Sequence, residues 1–384
     1  MNVPGRLGHE RRLLPTVLSL AWLGACVGGD RGAPGSDPCG GPAPATLADT
    51  GTIVVRGDDP PCTLEFVDVV TLAGDPDEGA LPKLPVTTGP GGGWVTATYD
   101  PGRIAFWSST GAFDRVIGNG PGEGPGEFRR VSELVVDTLA RRVYVFSSSP
   151  RIVVYSLAGE YLSEIRVPTI AATGVVLSDG TLVTVGSPPT TEPELIVVRG
   201  VGVERVGPPQ RGPVFPPMLL AADDEVWSAE GPWYEIDHHA MPDGHIDFRI
   251  RREGPRFPVP SEGDVQNASG PILSGFTVDE RTGTAFAVLV LVHDPDAPRA
   301  PMPQPTGPDE GARLQREYFD GVVEAFSLDG RLIATAVWDF MFDAPLPLRS
   351  NNPSGLWYRV LDDATRSIRI LRPVLSPGPQ GSVR

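Results

Sequence analysis

The sequence predicts an all-β fold: a six-bladed β-propeller of four-stranded antiparallel blades, closed by an N-terminal strand. Three observations carry that prediction. Short apolar and β-branched runs recur in groups of four. The breaks between them are short and rich in Gly, Pro, Asp and Ser, leaving room only for tight hairpins. The last group is one strand short, while an unassigned strand stands at the other end of the domain.

The clearest unit runs from Val131 to Val167. Its strands are Val131–Asp137, Arg142–Ser147, Arg151–Leu157 and Tyr161–Val167, an antiparallel meander. Before it, Pro85–Ile117 turns at Asp100-Pro101-Gly102 and Thr110-Gly111. After it, Thr173–Val206 turns at Ser178-Asp179-Gly180 and at Gly200-Val201-Gly202. Met218–Ile250 turns at Pro242-Asp243-Gly244, and Ser274–Val337 at Arg281-Thr282-Gly283 and Leu328-Asp329-Gly330. The final unit, Leu346–Arg372, offers three strands. A ring must close, and a free sheet edge invites aggregation, so Thr63–Leu72 is expected to pair with Ser367–Arg372. Long helical periodicity is absent. One short helix, Asp309–Tyr318, is expected inside the insertion His293–Phe319 of the fifth blade.

The N-terminus reads as an address. Arg6, Arg11 and Arg12 precede a short apolar stretch, Leu13–Leu23, and then Leu23-Gly24-Ala25-Cys26. That string resembles the bacterial lipobox, which implies cleavage before Cys26 and lipidation of its thiol; an ordinary secretory signal with an incidental cysteine is the alternative. Val27 after Cys26 implies, by the same resemblance, passage to the periplasmic face of the outer membrane. The expected organisation is a signal peptide over 1–25, a lipidated flexible tether over 26–60, the propeller over 61–374 and a tail over 375–384. The net charge is −16; the first 25 residues carry a net of +2, so their removal takes it to −18. A surface this acidic repels phosphate backbones, which argues against nucleic-acid partners and suits basic ones.

The junction Gly118–Phe128 reads GNGPGEGPGEF. No helix follows to present amides to a phosphate, and Glu123 and Glu127 would repel one, so it is not a dinucleotide loop. Its Gly-Pro-Gly-Glu-Phe ending, between the outer strand of one unit and the inner strand of the next, resembles the interblade signature of the NHL/TolB-like propeller superfamily. The resemblance covers most of the chain in rhythm and this one junction in literal motif. Phe128 is expected to plug the gap between two blades.

No catalytic constellation is legible: no GxSxG elbow, HExxH or phosphate loop occurs, and no cysteine nucleophile has a partner. Cys39 and Cys62 form an even pair in an exported chain, read as a disulfide, with two free thiols as the alternative. His238, His239 and His245 cluster with Asp237 and Asp243. Neighbouring strand residues face opposite ways, so His238 and His239 do not share a metal, and a structural role is the reading. Six-bladed lactonases hold an axial metal with Glu, Asn and Asp side chains from inner strands. Here Glu133, Asn351 and Asn352 are the only axial candidates, an incomplete oxygen shell, and Glu133 reads as a solvated channel residue. Arg129-Arg130, Arg141-Arg142 and Arg249/Arg251/Arg252 read as solvated strand ends. Asn267-Ala268-Ser269 matches a glycosylation sequon with no reason to be used.

The leading functional reading is therefore a monomeric, non-enzymatic binding or scaffold lipoprotein, needing no cofactor or metal. It is held to the membrane through lipid on Cys26 and takes a protein or glycan partner through loops that include the insertion. A metal-dependent lactonase-type hydrolase is the alternative. A part in envelope machinery, like the periplasmic propeller of the Tol system, is a third reading and rests on fold alone.

Overall fold

The computed structural model describes residues 39, 51–57, 60–74, 81–147, 149–187, 194–200, 202–206, 218–222, 225–230, 234–253, 272–279, 282–292, 307, 310, 313–314, 317–339, 343–348, 355, 357–361 and 367–378. The expected signal sequence, Cys26, Asn267, Asn351, Asn352 and most of the insertion lie outside them.

Two strands precede the first blade, β1 (Gly51–Val55) and β2 (Cys62–Ala73). The first blade is the meander β3 (Pro82–Thr88), β4 (Trp94–Thr98), β5 (Ile104–Trp107) and β6 (Phe113–Ile117). The second is β7 (Glu133–Asp137), β8 (Arg142–Phe146), β9 (Arg151–Ser156) and β10 (Tyr161–Arg166). The third is β11 (Ile170–Val176), β12 (Leu182–Ser187), β13 (Glu194–Arg199) and β14 (Gly202–Val206). The fourth is β15 (Met218–Ala222), β16 (Glu225–Glu230), β17 (Glu235–Ala240) and β18 (His245–Arg252). The fifth is β19 (Ile272–Asp279), β20 (Thr284–Val292), β21 (Phe319–Ser327) and β22 (Leu332–Trp338). The sixth is β23 (Leu346–Pro347), β24 (Trp357–Leu361) and β25 (Ser367–Pro377), with β2 as its outer strand.

The expected closure is present. β2 runs antiparallel to β25 from Cys62↔Pro377 to Ala73↔Ser367, with one irregularity at Asp68/Val70. β25 continues to Pro377, so the expected tail begins later than residue 375.

Among the described residues, buried apolar side chains fall into six clusters, each wedged between two neighbouring blades. Val95 and Phe106 meet Leu134 and Tyr155 between blades one and two. Tyr144 and Phe146 meet Leu182 and Ile196 between two and three, and Leu195 and Val197 meet Val226 between three and four. Trp227 and Ile250 meet Phe276 and Phe326 between four and five; Phe286 and Val323 meet Trp357 and Leu371 between five and six. The sixth cluster joins Tyr358, Ile368, Ile370 and Leu72 to Val86, Trp94 and Trp107, from the last blade back to the first. Each blade is apolar on both faces for this reason, which explains strands that read as near-continuous Val/Ile/Phe runs.

The segment ahead of β2 departs from the expected tether. β1 pairs parallel with β18 as a fifth strand on blade four, Gly51↔Phe248 through Val55↔Arg252. Arg56 then donates its N–H to Gly330 O in the β21–β22 turn of blade five (3.2 Å), and β2 follows in blade six. Residues 51–57, with 60–62 at the head of β2, thus form a strap across the rims of three successive blades. The run Thr52-Ile53-Val54-Val55 carries it, being β-branched enough to cover an edge that would otherwise stand open. Arg252 holds the strap from beneath: its guanidinium donates to Gly57 O (2.7 Å), Val55 O (3.3 Å) and Glu253 O (2.9 Å).

Cys39 and Cys62 are bonded to each other. Cys39 is buried against the wedge between blades five and six, so the bond is part of the core and not an ornament on a loose tether. The cysteines are 23 residues apart, and closing a loop of this size is worth ~3 kcal/mol in the unfolded chain. Chemical denaturation of a Cys39→Ser/Cys62→Ser variant should show a loss of that order, and equal midpoints for variant and parent would refute it.

Candidate functional site

The Gly118–Phe128 junction is a structural joint. Arg151 opens β9 and its side chain is nearly buried. It donates to the carbonyl oxygens of Glu123 (2.8 Å) and Glu127 (2.9 Å) and pairs with the carboxylates of Glu123 and Glu164 (3.2 Å each). Glu127 turns back to accept the Gly124 N–H (2.9 Å). The two acids of the motif therefore hold their own loop. The Tyr155 hydroxyl accepts the Asn119 N–H and donates to Gly126 O. Gly126 has φ +73°, and a Cβ there would meet Asn119 and the Tyr155 hydroxyl, so glycine is required. Phe128 is buried against Tyr155, filling the gap between the first two blades as expected.

Glu133 opens the inner strand β7, but it is fully buried, and the solvated-channel reading is corrected. Its Oε1 accepts the Leu134 N–H at 3.0 Å. Asn351 and Asn352 lie outside the described residues. Among the described residues no group of three or more His, Cys, Asp or Glu is placed to hold a metal ion.

The histidines do face opposite ways. His239 is buried; its Nδ1 donates to Gly244 O (3.1 Å) and its Nε2 lies 2.8 Å from Ser228 Oγ. Burial lowers its pKa and keeps the ring neutral, so the Ser228 hydroxyl donates to Nε2. This is the geometry of a nucleophile and its base, yet Ser228 is 1% exposed and lines no part of the cavity described below, so the pair stitches β16 to β17. On the other face, His238 Nε2 donates to Glu225 (2.7 Å), and its Nδ1 lies 3.3 Å from Asp247 without hydrogen-bond alignment. His245 joins the same Asp247 (2.8 Å) to Asp243 (2.7 Å). The result is a row of alternating carboxylates and imidazoles. The hydrogen bond that His245 donates to Asp243, then the charges of Asp243 and Asp247, raise the His245 pKa.

A proton NMR titration should place the His245 midpoint above the ordinary value of about 6.5, and Asp243→Asn should lower it towards that value, with Asp247 still in place. Because the folded-state pKa is the higher one, the pair stabilises fully below the ordinary value, and the contribution is lost as pH rises through the folded midpoint. A midpoint unmoved by Asp243→Asn would refute the pairing.

Arg249, Arg251 and Arg252, read as solvated strand ends, are engaged. Arg249 pairs with Asp237 (2.5 Å) and Glu235 (3.1 Å), and Arg251 with Glu235. Arg252 Nε meets Glu324 Oε2 on blade five (3.1 Å), and Tyr234 donates to the same oxygen (3.0 Å).

One cavity stands out in relation to the fold. The inner strands of blade six are short: β23 has two residues, and β24 begins at Trp357, opposite Leu371. β25 runs on beyond that point beside β2. Its overhang, Arg372, Pro373 and Leu375, lines a cavity of about 360 Å³ with Thr277, Asp279, Thr282, Thr284 and Phe286 of blade five. Cys39 forms part of its wall. The sequence held no direct signal for this cavity, because its walls come from segments far apart in the chain, within 277–286 and 372–375.

Residues 95–185 match the 6-bladed beta-propeller family DUF5128. The match spans β4 to β12, the repeat on which the sequence reading rested. Solved structures agree over most of the chain. A Bacteroides fragilis chain described as a "Putative exported protein" shares 13% identity at a TM-score of 0.54, over 86% of this chain and 100% of its own. The fold is a six-bladed propeller. A member of the duf4221 family from Bacteroides vulgatus is similar too, at 10% identity and a TM-score of 0.53, over 82% of this chain and 99% of that one. At these identities the likeness shows the fold alone. No curated protein matches the propeller.

Proposed function

We propose that this propeller is exported, anchored by lipid on Cys26 at the periplasmic face of the outer membrane, and works by binding a protein or glycan partner, not by catalysis. The observation that carries the reading is the Cys39–Cys62 bond set into the core just after a lipobox-like Leu23-Gly24-Ala25-Cys26. Disulfides of this kind belong to oxidising compartments. The similarity to a structure described as an exported protein supports the same compartment. The Ser228–His239 pair, the one nucleophile–base geometry noted above, is buried, which supports binding over hydrolysis.

The test has two parts. Fatty-acid labelling in a Gram-negative host should tag the parent and leave Cys26→Ala unlabelled and released from membranes; label retained by Cys26→Ala would overturn the anchor. Cross-linking in the same cells should trap a partner, and deletion of residues 296–311 should abolish it. Trapping that survives the deletion would remove the insertion from the contact.

A further inference from the structure

We propose that the cavity between blades five and six binds one acidic sugar, a hexuronate residue of a glycan. The inference rests on the binding reading above and names the chemistry of the ligand and its place. The cavity's volume of about 360 Å³ lies at the small end of ligand pockets, the size of a single ring rather than a chain.

Its equipment is specific. Thr277 is 2% exposed and its hydroxyl has no hydrogen-bond partner. A buried hydroxyl left unsatisfied is costly, and a ligand that fills it recovers that cost. Thr282 and Thr284 already donate to the carbonyl oxygens of Asp279 (3.2 Å) and Thr282 (3.4 Å). Their hydroxyls are left as acceptors for a ligand. The site thus asks for a ligand with several hydroxyl donors. Phe286, Pro373 and Leu375 supply apolar wall, against which the C–H face of a sugar ring packs.

Arg372 adds the demand for charge. It is exposed, it lines the cavity, and among the described residues no carboxylate pairs with it. The neighbouring Arg369 on the same strand is paired with Asp68 (3.4 Å), so β25 does not lack acids for the purpose. A guanidinium takes a carboxylate in a bidentate bond. The acidity of the whole chain does not oppose this, since charges beyond about 8 Å are screened at physiological salt. One ligand class answers every group: a ring with vicinal hydroxyls, an apolar C–H face and one carboxylate.

The site is distinct from the insertion loop. The turn that lines the cavity leads into β20 at Thr284, and the insertion leaves β20 at Val292. Eight strand steps put the two roughly 25 Å apart, at opposite ends of the blade.

Saturation-transfer NMR and calorimetry on the full mature chain, with methyl β-D-glucuronide, methyl β-D-glucoside and acetate as probes at 0.15 M salt, test the proposal. The glucuronide should bind, the glucoside at least tenfold more weakly, and acetate not detectably. Arg372→Gln should reduce glucuronide affinity by roughly ten- to a hundredfold. Thr277→Val should reduce it several-fold while leaving thermal stability unchanged or higher, because its hydroxyl has no partner to lose. No transfer to the glucuronide would overturn the proposal. So would binding of acetate as strong as that of the glucuronide, or glucuronide affinity unchanged in both variants. If the glucuronide fails while the cross-linked partner persists, the cavity assignment falls and the binding reading stands; if both fail, both fall.

Discussion

Replacement of Arg252 by alanine should lower the unfolding free energy of the propeller by about 3–5 kcal/mol. The guanidinium and the Glu324 carboxylate are both almost wholly buried, at 2% and 5% side-chain exposure. Removing the cation leaves Glu324 buried without its counter-charge, and it frees the strap carbonyls of Val55 and Gly57 as well. Tyr234 remains to donate to Glu324, but a neutral donor offsets only part of a buried negative charge. Burial, and then the Glu324 charge, already hold the Tyr234 hydroxyl well above its ordinary pKa, so it cannot share the negative charge. The double variant Arg252→Met/Glu324→Leu should be more stable than Arg252→Ala alone, because exchanging a buried pair for apolar side chains removes the desolvation cost of both. Urea titration of the three proteins measures this. A single variant within about 0.5 kcal/mol of the parent, the range of ordinary surface substitutions, would show that the pair is not as buried as described.

Truncation through Ala73 should abolish the monomeric fold, whereas truncation to residue 60 should keep it. The longer deletion removes the outer strand of blade six and exposes β25 along its whole length as an open edge. It also removes Leu64 and Leu72, each worth roughly 1.5–3 kcal/mol on burial, and Phe66, which packs edge-on against Trp357 at 5.0 Å. The sixth apolar wedge, the one that joins last blade to first, loses a member. The shorter deletion removes only the strap and the disulfide, so it should lower the melting temperature while the protein still elutes as a monomer. Gel filtration and circular dichroism of the two truncations decide it; indistinguishable behaviour would mean that β2 does not close the ring.

Most of the ring was legible because each blade is local. Val131–Val167 shows four apolar runs and three turns, and the strands fall within two residues of where the turns place them. The closure by β2 was legible by subtraction, from a unit lacking a strand. The strap was not, although Thr52-Ile53-Val54-Val55 is a strand signal by itself. Its Gly/Pro-rich surroundings outweighed four residues, and its partner strand lies nearly 200 residues downstream. The site residues divide in the same way. Phe128 declared its role through an adjacent motif. Glu133 gave no sign of burial, since a lone acid at the head of an inner strand reads the same in a channel or a core. The Glu225–His238–Asp247–His245 row needed the cross-strand register and the irregularity at His238/His239, which no local pattern reveals. Arg252 and Glu324, 72 residues apart on different blades, could be joined only by the ring itself.

The bond between Cys39 and Cys62 also decides how the molecule bears load. Tension arriving from anything that holds the chain upstream of residue 39 passes through sulfur directly to the head of β2. It does not travel along residues 40–61, which lie inside the covalent loop. β1 is therefore not peeled from blade four when the N-terminus is pulled. The strain falls instead on β2, which is paired along its length and backed by two tryptophans, Trp338 and Trp357. In a reducing medium the same pull would reach the five residues of β1 first, and the rim would open from its weakest strand.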